Sequence, residues 1–257
     1  MLLLGAGPRA LLLQLAHPDV AVGVAEHSDF QRDPWRRLDG TLRSYLRIIY
    51  GSTRVARAEI RRLHVLHGTV VGEGYRARDP ALAMWVHATL VESTIVANDA
   101  WLGPLPRSRA AAFYEESRGL GRAFGVPETM LPGDLAEFDD YMTRMLASDG
   151  PVHVSAQARQ LARAVMHPPL PGVLAHLGVP VLLYDWVLWP AVELLPASVR
   201  AEYGFTTGTA RRIVASWLVA GWRGWNRRLP TAIREMPQAR AADRRVRVPH
   251  PRPRPRQ

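Results

Sequence analysis

The sequence predicts an all-α protein organised as one main domain. Apolar residues recur at intervals of three and four along most of the 257-residue chain, and helix-start signals precede these runs. Convincing alternating strand patterns are lacking, as are Asn-Gly or Asp-Gly turns flanked by strands. The length and the 47% hydrophobic content allow one substantial core.

The first predicted element is a core helix in the apolar run "MLLLGAGPRALLLQLAHP". Gln14 and His17 fall within its helical pattern and no basic segment precedes it, so we expect no signal peptide. His17 stands before Pro18 and therefore marks the end of one helix and the start of the next. The abrupt opening on packing residues also fits a start site inside a longer fold.

Three further helices have clear start signals. Asp33 and Pro34 open an amphipathic helix that runs to Gly51, and Ser52 or Thr53 caps the next. Asp79 and Pro80 open a third helix that is apolar nearly all round and should be buried. Additional helices are predicted near residues 106 to 124, 134 to 147, 154 to 166 and 206 to 228.

The apolar pattern stops near Arg240, so we expect a main domain over residues 1–239 and a disordered Arg/Pro-rich tail over 240–257. All 33 basic residues are arginine, and seven of them lie in the last 18 residues. The tail carries +6 of the net charge of +10, and the mildly basic body argues against a specific nucleic-acid partner. The tail is interpreted as a solvated end, with binding to anionic lipid or nucleic acid as the alternative.

The segment 172–195, "GVLAHLGVPVLLYDWVLWPAVELL", is long enough to span a bilayer. Pro180, Asp185 and Pro190 interrupt it, which favours short buried helices or an interfacial hairpin. We therefore expect a cytoplasmic protein, with peripheral membrane contact as the alternative. The oligomeric state is not predicted by any pattern in the chain.

The absence of cysteine excludes disulfide scaffolds, zinc-thiolate sites, iron–sulfur clusters and thiolate-ligated haem. The sequence also lacks the zincin His-Glu-x-x-His, the Gly-x-Ser-x-Gly elbow, the Walker loop and the dinucleotide-binding glycine motif. These absences remove the main support for metalloprotease, hydrolase, NTPase and Rossmann functions. Chemistry based on histidine and carboxylate remains.

His67 is the best-placed histidine for a role in the interior. On a helical wheel it shares an arc of about 80° with four apolar residues, and His64 lies at the edge of that arc. A buried imidazole needs partners, so His67 is either a satisfied core residue or a metal ligand, for example to haem iron. His87, within an apolar helix, is a second candidate for a polar role in the core. The apolar residues that share the arc are Ala56, Ile60, Leu63 and Val70.

Five blocks in order resemble the family of rubber oxygenase (latex-clearing protein) and the fungal MpaB oxygenase. The similarity extends from about residue 6 to residue 240. The blocks are "GPRALLLQLAHPDVAVGVAEHSDF", "DPWRRLDGTLRSYLRIIYG", "LHGTVVG", "YRARDPALAMWVHATLVES" and "LPASVRAEYGF".

The resemblance implies a globin-like helical domain with a cofactor pocket for haem b in its core. It places the proximal iron ligand on His67 and puts Arg37 and Thr41 beside the haem; these two lie on one helical face. A plain alternative is that Arg37 solvates its helix or pairs with Asp33, while Thr41 bonds back to the carbonyl of Arg37. In rubber oxygenases a lysine just before this threonine can take the distal iron position, but here that residue is Gly40, so the sixth position is expected to be open, bound by water, or taken by another histidine such as His27 or His87.

The function expected from these observations is that of an oxygenase that uses haem and dioxygen on an apolar, isoprenoid or unsaturated lipid-like substrate. One alternative is a haem or lipid carrier or sensor on the same fold, which would bind a terpene without consuming oxygen. Another is a non-haem metal enzyme that uses His64 and His67. The Gly40 departure puts polyisoprene in doubt as the substrate.

Overall fold

A computed structural model describes residues 2–28, 33–167, 188–205, 208–230 and 234–247 of the chain. These residues are mostly helical, which confirms the all-α prediction. The helices are α1 Leu2–Ala16, α2 Pro18–His27, α3 Pro34–Tyr50, α4 Thr53–Gly68, α5 Pro80–Trp101, α6 Arg107–Ala123, α7 Leu135–Met145, α8 Ala156–Met166, α9 Ala197–Glu202, α10 Thr209–Asn226 and α11 Pro237–Arg247. Residues 188–193 are also helical.

The helix-start signals act where the sequence places them. The carboxylate of Asp33 accepts a hydrogen bond from the backbone N–H of Arg36, and Asp79 accepts one from Ala81. The hydroxyl of Ser52 accepts from Val55 at the start of α4. Each side chain satisfies a backbone donor that has no partner inside its own helix.

A two-stranded antiparallel hairpin follows α4 and departs from the expectation that strands are lacking. β1 (Val71–Gly72) pairs with β2 (Tyr75–Arg76). Gly74 has a φ of +80° at the turn, a conformation that favours glycine. Each strand has only two residues, which is too few for an alternating pattern to be visible in the sequence.

The core forms around α5, which packs along α1 and also contacts α6 and α10. Trp85 and Ala88 on α5 and Leu12 and Leu13 on α1 are fully buried in this core. Among the described residues, α5 is the helix that is long and apolar enough to cross a membrane. Half of its apolar 18-residue stretch is buried inside the protein. The expectation of a buried helix, apolar nearly all round, is confirmed.

An ion pair crosses this apolar interface. Arg9 on α1 is 2% exposed and donates two hydrogen bonds to the carboxylate of Glu92 on α5. The same guanidinium donates to Ser93 Oγ at 2.8 Å and to the carbonyl of Leu194 at 2.7 Å. The charge of Arg9 is thus fully satisfied, and α1, α5 and the segment before α9 share one contact.

A second polar cluster joins α3 to α4. Glu59 is 5% exposed, and its carboxylate accepts hydrogen bonds from Arg62 at 2.6 Å, Ser44 at 2.7 Å and Arg47 at 3.2 Å. These bonds, from Arg62 above all, lower the pKa of Glu59 to about 2 against the opposing effect of burial. The cluster fixes how the two helices align.

The C-terminal region differs from the sequence prediction. The tail was expected to be disordered from Arg240, but α11 continues to Arg247 and packs against α3. Pro237 begins the helix, alanines support it, and the guanidinium of Arg245 donates to the carbonyl of Tyr50. Residues 248–257 and 168–187, the latter containing most of the apolar segment tested above for membrane spanning, lie outside the described residues.

Replacing Arg9 with alanine should lower the free energy of unfolding by about 3–5 kcal/mol, because Glu92 would keep its charge in the interface without a partner. Urea unfolding followed by circular dichroism measures the change. Arg43→Ala is the matched control: Arg43 pairs with Asp39 on the exposed face of α3, so its loss should cost about 0.5 kcal/mol or less. Equal losses in the two variants would contradict the structural role of Arg9.

Replacing Glu59 with glutamine should lower the free energy of unfolding at pH 7 by about 1–3 kcal/mol. The lowered pKa means that the stabilisation by the ionised carboxylate is complete above about pH 4.5 and is lost as the pH falls through about 2. The stability difference between the wild type and Glu59→Gln should therefore narrow across that range in pH-dependent urea titrations. A difference that stays constant from pH 5 to 2 would show that the charge of Glu59 is not the cause.

Candidate functional site

The helices α3 and α4 pack antiparallel, so the start of α3 lies near the end of α4. Ser44 and Glu59 mark one level of this antiparallel pair. Arg37 lies seven residues before Ser44 and His67 lies eight residues after Glu59, so at equal rise per residue the two reach nearly the same level. The electrostatics agree with this placement, because the positive charge of Arg37 lowers the pKa of His67.

The face of α4 that the helical wheel predicted is the face turned toward the protein. Ala56, Ile60, Leu63 and His67 are all half-buried, while Val65 on the opposite side is 74% exposed. The position of His67 on the inward face follows from the 3.6-residue period of the helix. The sequence thus predicted the side of α4 on which its imidazole lies.

His67 lines a cavity of about 480 Å³ at the end of α4. The cavity is a surface depression that is partly open to solvent. The cavity lies beside the helical core, at the junction of α4, the β-hairpin and the start of α5, rather than within the packed core that was expected to hold a pocket. Its lining residues are His67, Gly68, Val71, Arg76, Arg78, Asp79 and Pro80.

The imidazole of His67 is free to take a ligand. Within the described part of the chain, neither ring nitrogen has a hydrogen-bond partner or an ion pair. Burial lowers the pKa of His67 below its ordinary value of 6.5, and the positive charges of Arg37, His64 and Arg62 lower it further. The ring is therefore neutral at pH 7, the form in which a histidine nitrogen binds a metal ion.

Two arginines give the cavity a positive rim. The guanidinium groups of Arg76 and Arg78 are exposed and make no ion pair or hydrogen bond among the described residues. Arg78 lies over Gly68, where an added Cβ would be 3.5 Å from its Nη1. Asp79, the acidic residue of the lining, is engaged as the cap of α5. The rim can therefore bind an anionic group such as a carboxylate.

Arg37 and Thr41 are held by each other rather than by the cavity wall. The guanidinium of Arg37 donates to the hydroxyls of Ser28 and Thr41, and Thr41 donates to the carbonyl of Arg37 at 2.9 Å. Arg37 is exposed to solvent, and partial desolvation lowers the pKa of its guanidinium. At Gly40 an added Cβ would meet no atom within 4 Å.

The other candidate histidines have different surroundings. The Nε2 atom of His64 lies 3.2 Å from the carbonyl oxygen of Ala123 on α6, so the ring is not turned to the same ligand as His67. His87 is 3% exposed, and its ring packs where α6 has Gly121. Burial lowers its pKa to about 4. Neither His27 nor His87 lines the cavity.

A non-haem metal site on His64 and His67 gains no support from the structure. Among the residues described, no group of three or more histidine, aspartate, glutamate or cysteine side chains could hold a metal ion. Structural and catalytic metal sites built from side chains alone usually need at least three ligands.

Sequence reasoning missed Arg76 and Arg78 as site residues. They belong to the block "YRARDP", which was noted for the resemblance and not for its charge. Two arginines two positions apart, directly before a helix-start signal, were the available indication. Only the hairpin places them beside His67, and its strands are too short to predict.

The comparisons with known proteins agree with the resemblance. The family model "ER-bound oxygenase mpaB/B'/Rubber oxygenase, catalytic domain" matches residues 1–227. Uncharacterized proteins of Mycobacterium bovis and Mycobacterium tuberculosis are each 33% identical over 165 residues, covering 60% of this chain and 63% of the relative. The match thus spans less than two thirds of these relatives, and no solved structure matches significantly. Because the family model covers most of the chain, the protein belongs to the family of the mpaB and rubber oxygenase catalytic domains.

Proposed function

We propose that this protein is a haem b-dependent oxidoreductase, an oxygenase that uses dioxygen on an apolar substrate of isoprenoid or unsaturated lipid-like character. Its family, described as an oxygenase catalytic domain, supports the reaction class. The observation that carries the proposal is the neutral, unpartnered imidazole of His67 on a cavity of about 480 Å³ rimmed by guanidinium groups.

Three features of the residues around the cavity support haem b as its ligand. His67 would offer a neutral ring nitrogen to hold the iron. Arg76 and Arg78 offer positive charge for the two propionate carboxylates. Val71 and Pro80 give apolar surface for the edge of a macrocycle. When bound, the haem iron supplies the activation of dioxygen.

The side chains on α3 have a positioning role in this proposal. Arg37 is fixed between Ser28 and Thr41, so its guanidinium is an oriented donor near the level of His67. Its charge also disfavours protonation of His67 and keeps that ring available as a ligand. Gly40, directly before Thr41, is exposed, and an added Cβ there would meet no atom within 4 Å.

An apolar substrate is supported by the side chains at the cavity mouth. Val71 lines the cavity and is 50% exposed, and Pro80 also lines it. Binding of an apolar ligand over apolar groups at a solvent-accessible mouth is favourable, because it removes apolar surface from water.

His67→Ala should weaken the binding of haem b by roughly 100-fold, because the axial imidazole is lost. Titration of haem into the purified apoprotein, followed by the Soret band, measures this, and added free imidazole should restore a histidine-type spectrum. His64→Ala is the matched control and should bind haem like the wild type, since its ring is turned to Ala123. An unchanged Soret band and affinity in His67→Ala would remove the assignment of the iron ligand.

The double variant Arg76→Gln/Arg78→Gln should bind haem about tenfold more weakly, because the propionates lose their charge partners. Haem dimethyl ester, which lacks propionate charge, should bind the wild type and this variant equally. Arg54→Gln/Arg57→Gln removes the same charge from exposed positions near the start of α4 and should leave haem affinity unchanged. If the double variant also binds haem dimethyl ester about tenfold more weakly than the wild type does, the arginines do not bind the propionates.

A further inference from the structure

α10 carries an apolar face that the described parts of the chain leave uncovered. Trp217 is 76% exposed, Trp225 is 68% exposed and Ile213 is 50% exposed. They lie at intervals of four and eight residues, so they share one side of the helix, with Gly221 and Gly224 between them. Two indole rings exposed to this extent on one helix are unusual for a surface that faces only water.

The opposite side of α10 is fixed to the protein, so the orientation of the apolar face is set. Ala215 is buried, and Trp222 packs on the cluster of Ala97 and Trp101 at the end of α5. The guanidinium of Arg223 donates to the carbonyl of Ala100 at 2.6 Å and also to that of Asp99. Rotation that would turn Trp217 inward would break these contacts.

The charge along the sequence of α10 is of one sign, and the exposed Asp99 at the end of α5 lies beside Arg223. Between Glu202 and Glu235 the sequence contains no acidic residue and has six arginines, at positions 211, 212, 223, 227, 228 and 234. Arg227 and Arg228 follow the end of the helix, are exposed and make no side-chain ion pair in the described structure. An apolar helix face with basic flanks and no acid is typical of helices that lie in a membrane surface.

We propose that α10 binds to the surface of an anionic lipid bilayer, with Trp217 and Trp225 inserted among the headgroups. Indole rings favour this depth because their ring is apolar and their N–H is polar. The arginines at the helix ends would contact lipid phosphates and anionic headgroups. The proposal rests on α10 alone and is independent of haem binding at His67.

The charge pattern favours lipid over a second copy of this chain. In a symmetric pair the same patch would meet itself, and the arginines beside Trp225 would face one another. Like charges brought together without acids between them oppose association. An anionic bilayer instead complements both the indoles and the arginines.

Co-sedimentation of the full chain with vesicles tests the proposal. Vesicles of phosphatidylcholine with about a quarter phosphatidylserine should bind the protein, and pure phosphatidylcholine should bind it much less. Trp217→Ala/Trp225→Ala should weaken the partitioning by about tenfold or more. Val65→Ala, which removes an equally exposed apolar side chain from α4, should leave it unchanged. Circular dichroism confirms that each variant is folded.

Two further measurements separate α10 from the basic tail. Lipids brominated in their acyl chains should quench the fluorescence of the wild type but not the corresponding component in Trp217→Ala/Trp225→Ala. Arg227→Gln/Arg228→Gln should reduce the preference for phosphatidylserine by several-fold. Equal binding by the tryptophan variant and the wild type, or absence of quenching, would overturn the proposal. So would a dimer in light scattering that the tryptophan variant converts to monomer, which would assign the face to self-association.

Discussion

The ion pair of Arg9 and Glu92 crosses the apolar interface between α1 and α5, and two other parts of the molecule depend on where it holds α5. The first turn of α5 supplies Asp79 and Pro80 to the cavity of His67. Its last turns support α10 through the cluster of Ala97 and Trp101. A charge pair in such a place stabilises little by itself, but leaving either partner alone is costly. The pair therefore specifies how α1 and α5 face each other.

A second constraint, the cluster on Glu59, aligns α3 with α4. That alignment brings Arg37 to the level of His67 on the facing helix, where its charge adds to the larger effect of burial in lowering the pKa of His67. A half-buried imidazole surrounded by guanidinium groups is a poor proton acceptor and a good metal ligand. Two other guanidinium groups, those of Arg76 and Arg78 on the cavity rim, can attract anionic groups of a cofactor. The α3–α4 pair and the β-hairpin thus each contribute positive charge near His67, which supports the proposed oxygenase function.

Local signals predicted most helix starts and the inward face of α4. Asp33, Ser52 and Asp79 cap helices because their side chains satisfy backbone donors within three residues, and such short-range effects can be read from the sequence. Long-range pairs could not be read in this way. Arg9 and Glu92 are 83 residues apart, and each appears in the sequence only as a lone charge in an apolar helix. A lone charge in an apolar helix indicates that the residue has a partner, but it does not indicate which residue the partner is.

The cavity was the least predictable feature. Its position depends on a hairpin of two-residue strands that turns Arg76 back toward the end of α4. The sequence predicted His67 through the period of its helix and through the family resemblance, and it predicted Arg37 and Thr41 through the resemblance alone. In the structure these two residues bond to one another, and their role beside a cofactor stays a prediction. The helix α11 was missed because arginine-rich composition resembles that of a solvated tail.

We propose that the cavity beside His67, at the junction of α4, the β-hairpin and the start of α5, binds haem through this single histidine. An absorption spectrum of the full-length protein as isolated, and again after reduction with dithionite, tests it most directly. We expect a Soret band that shifts on reduction. Its pattern should be that of a haem held by one imidazole with no second protein ligand. A protein that shows no Soret band as isolated, and that acquires none when haem is added, would contradict it.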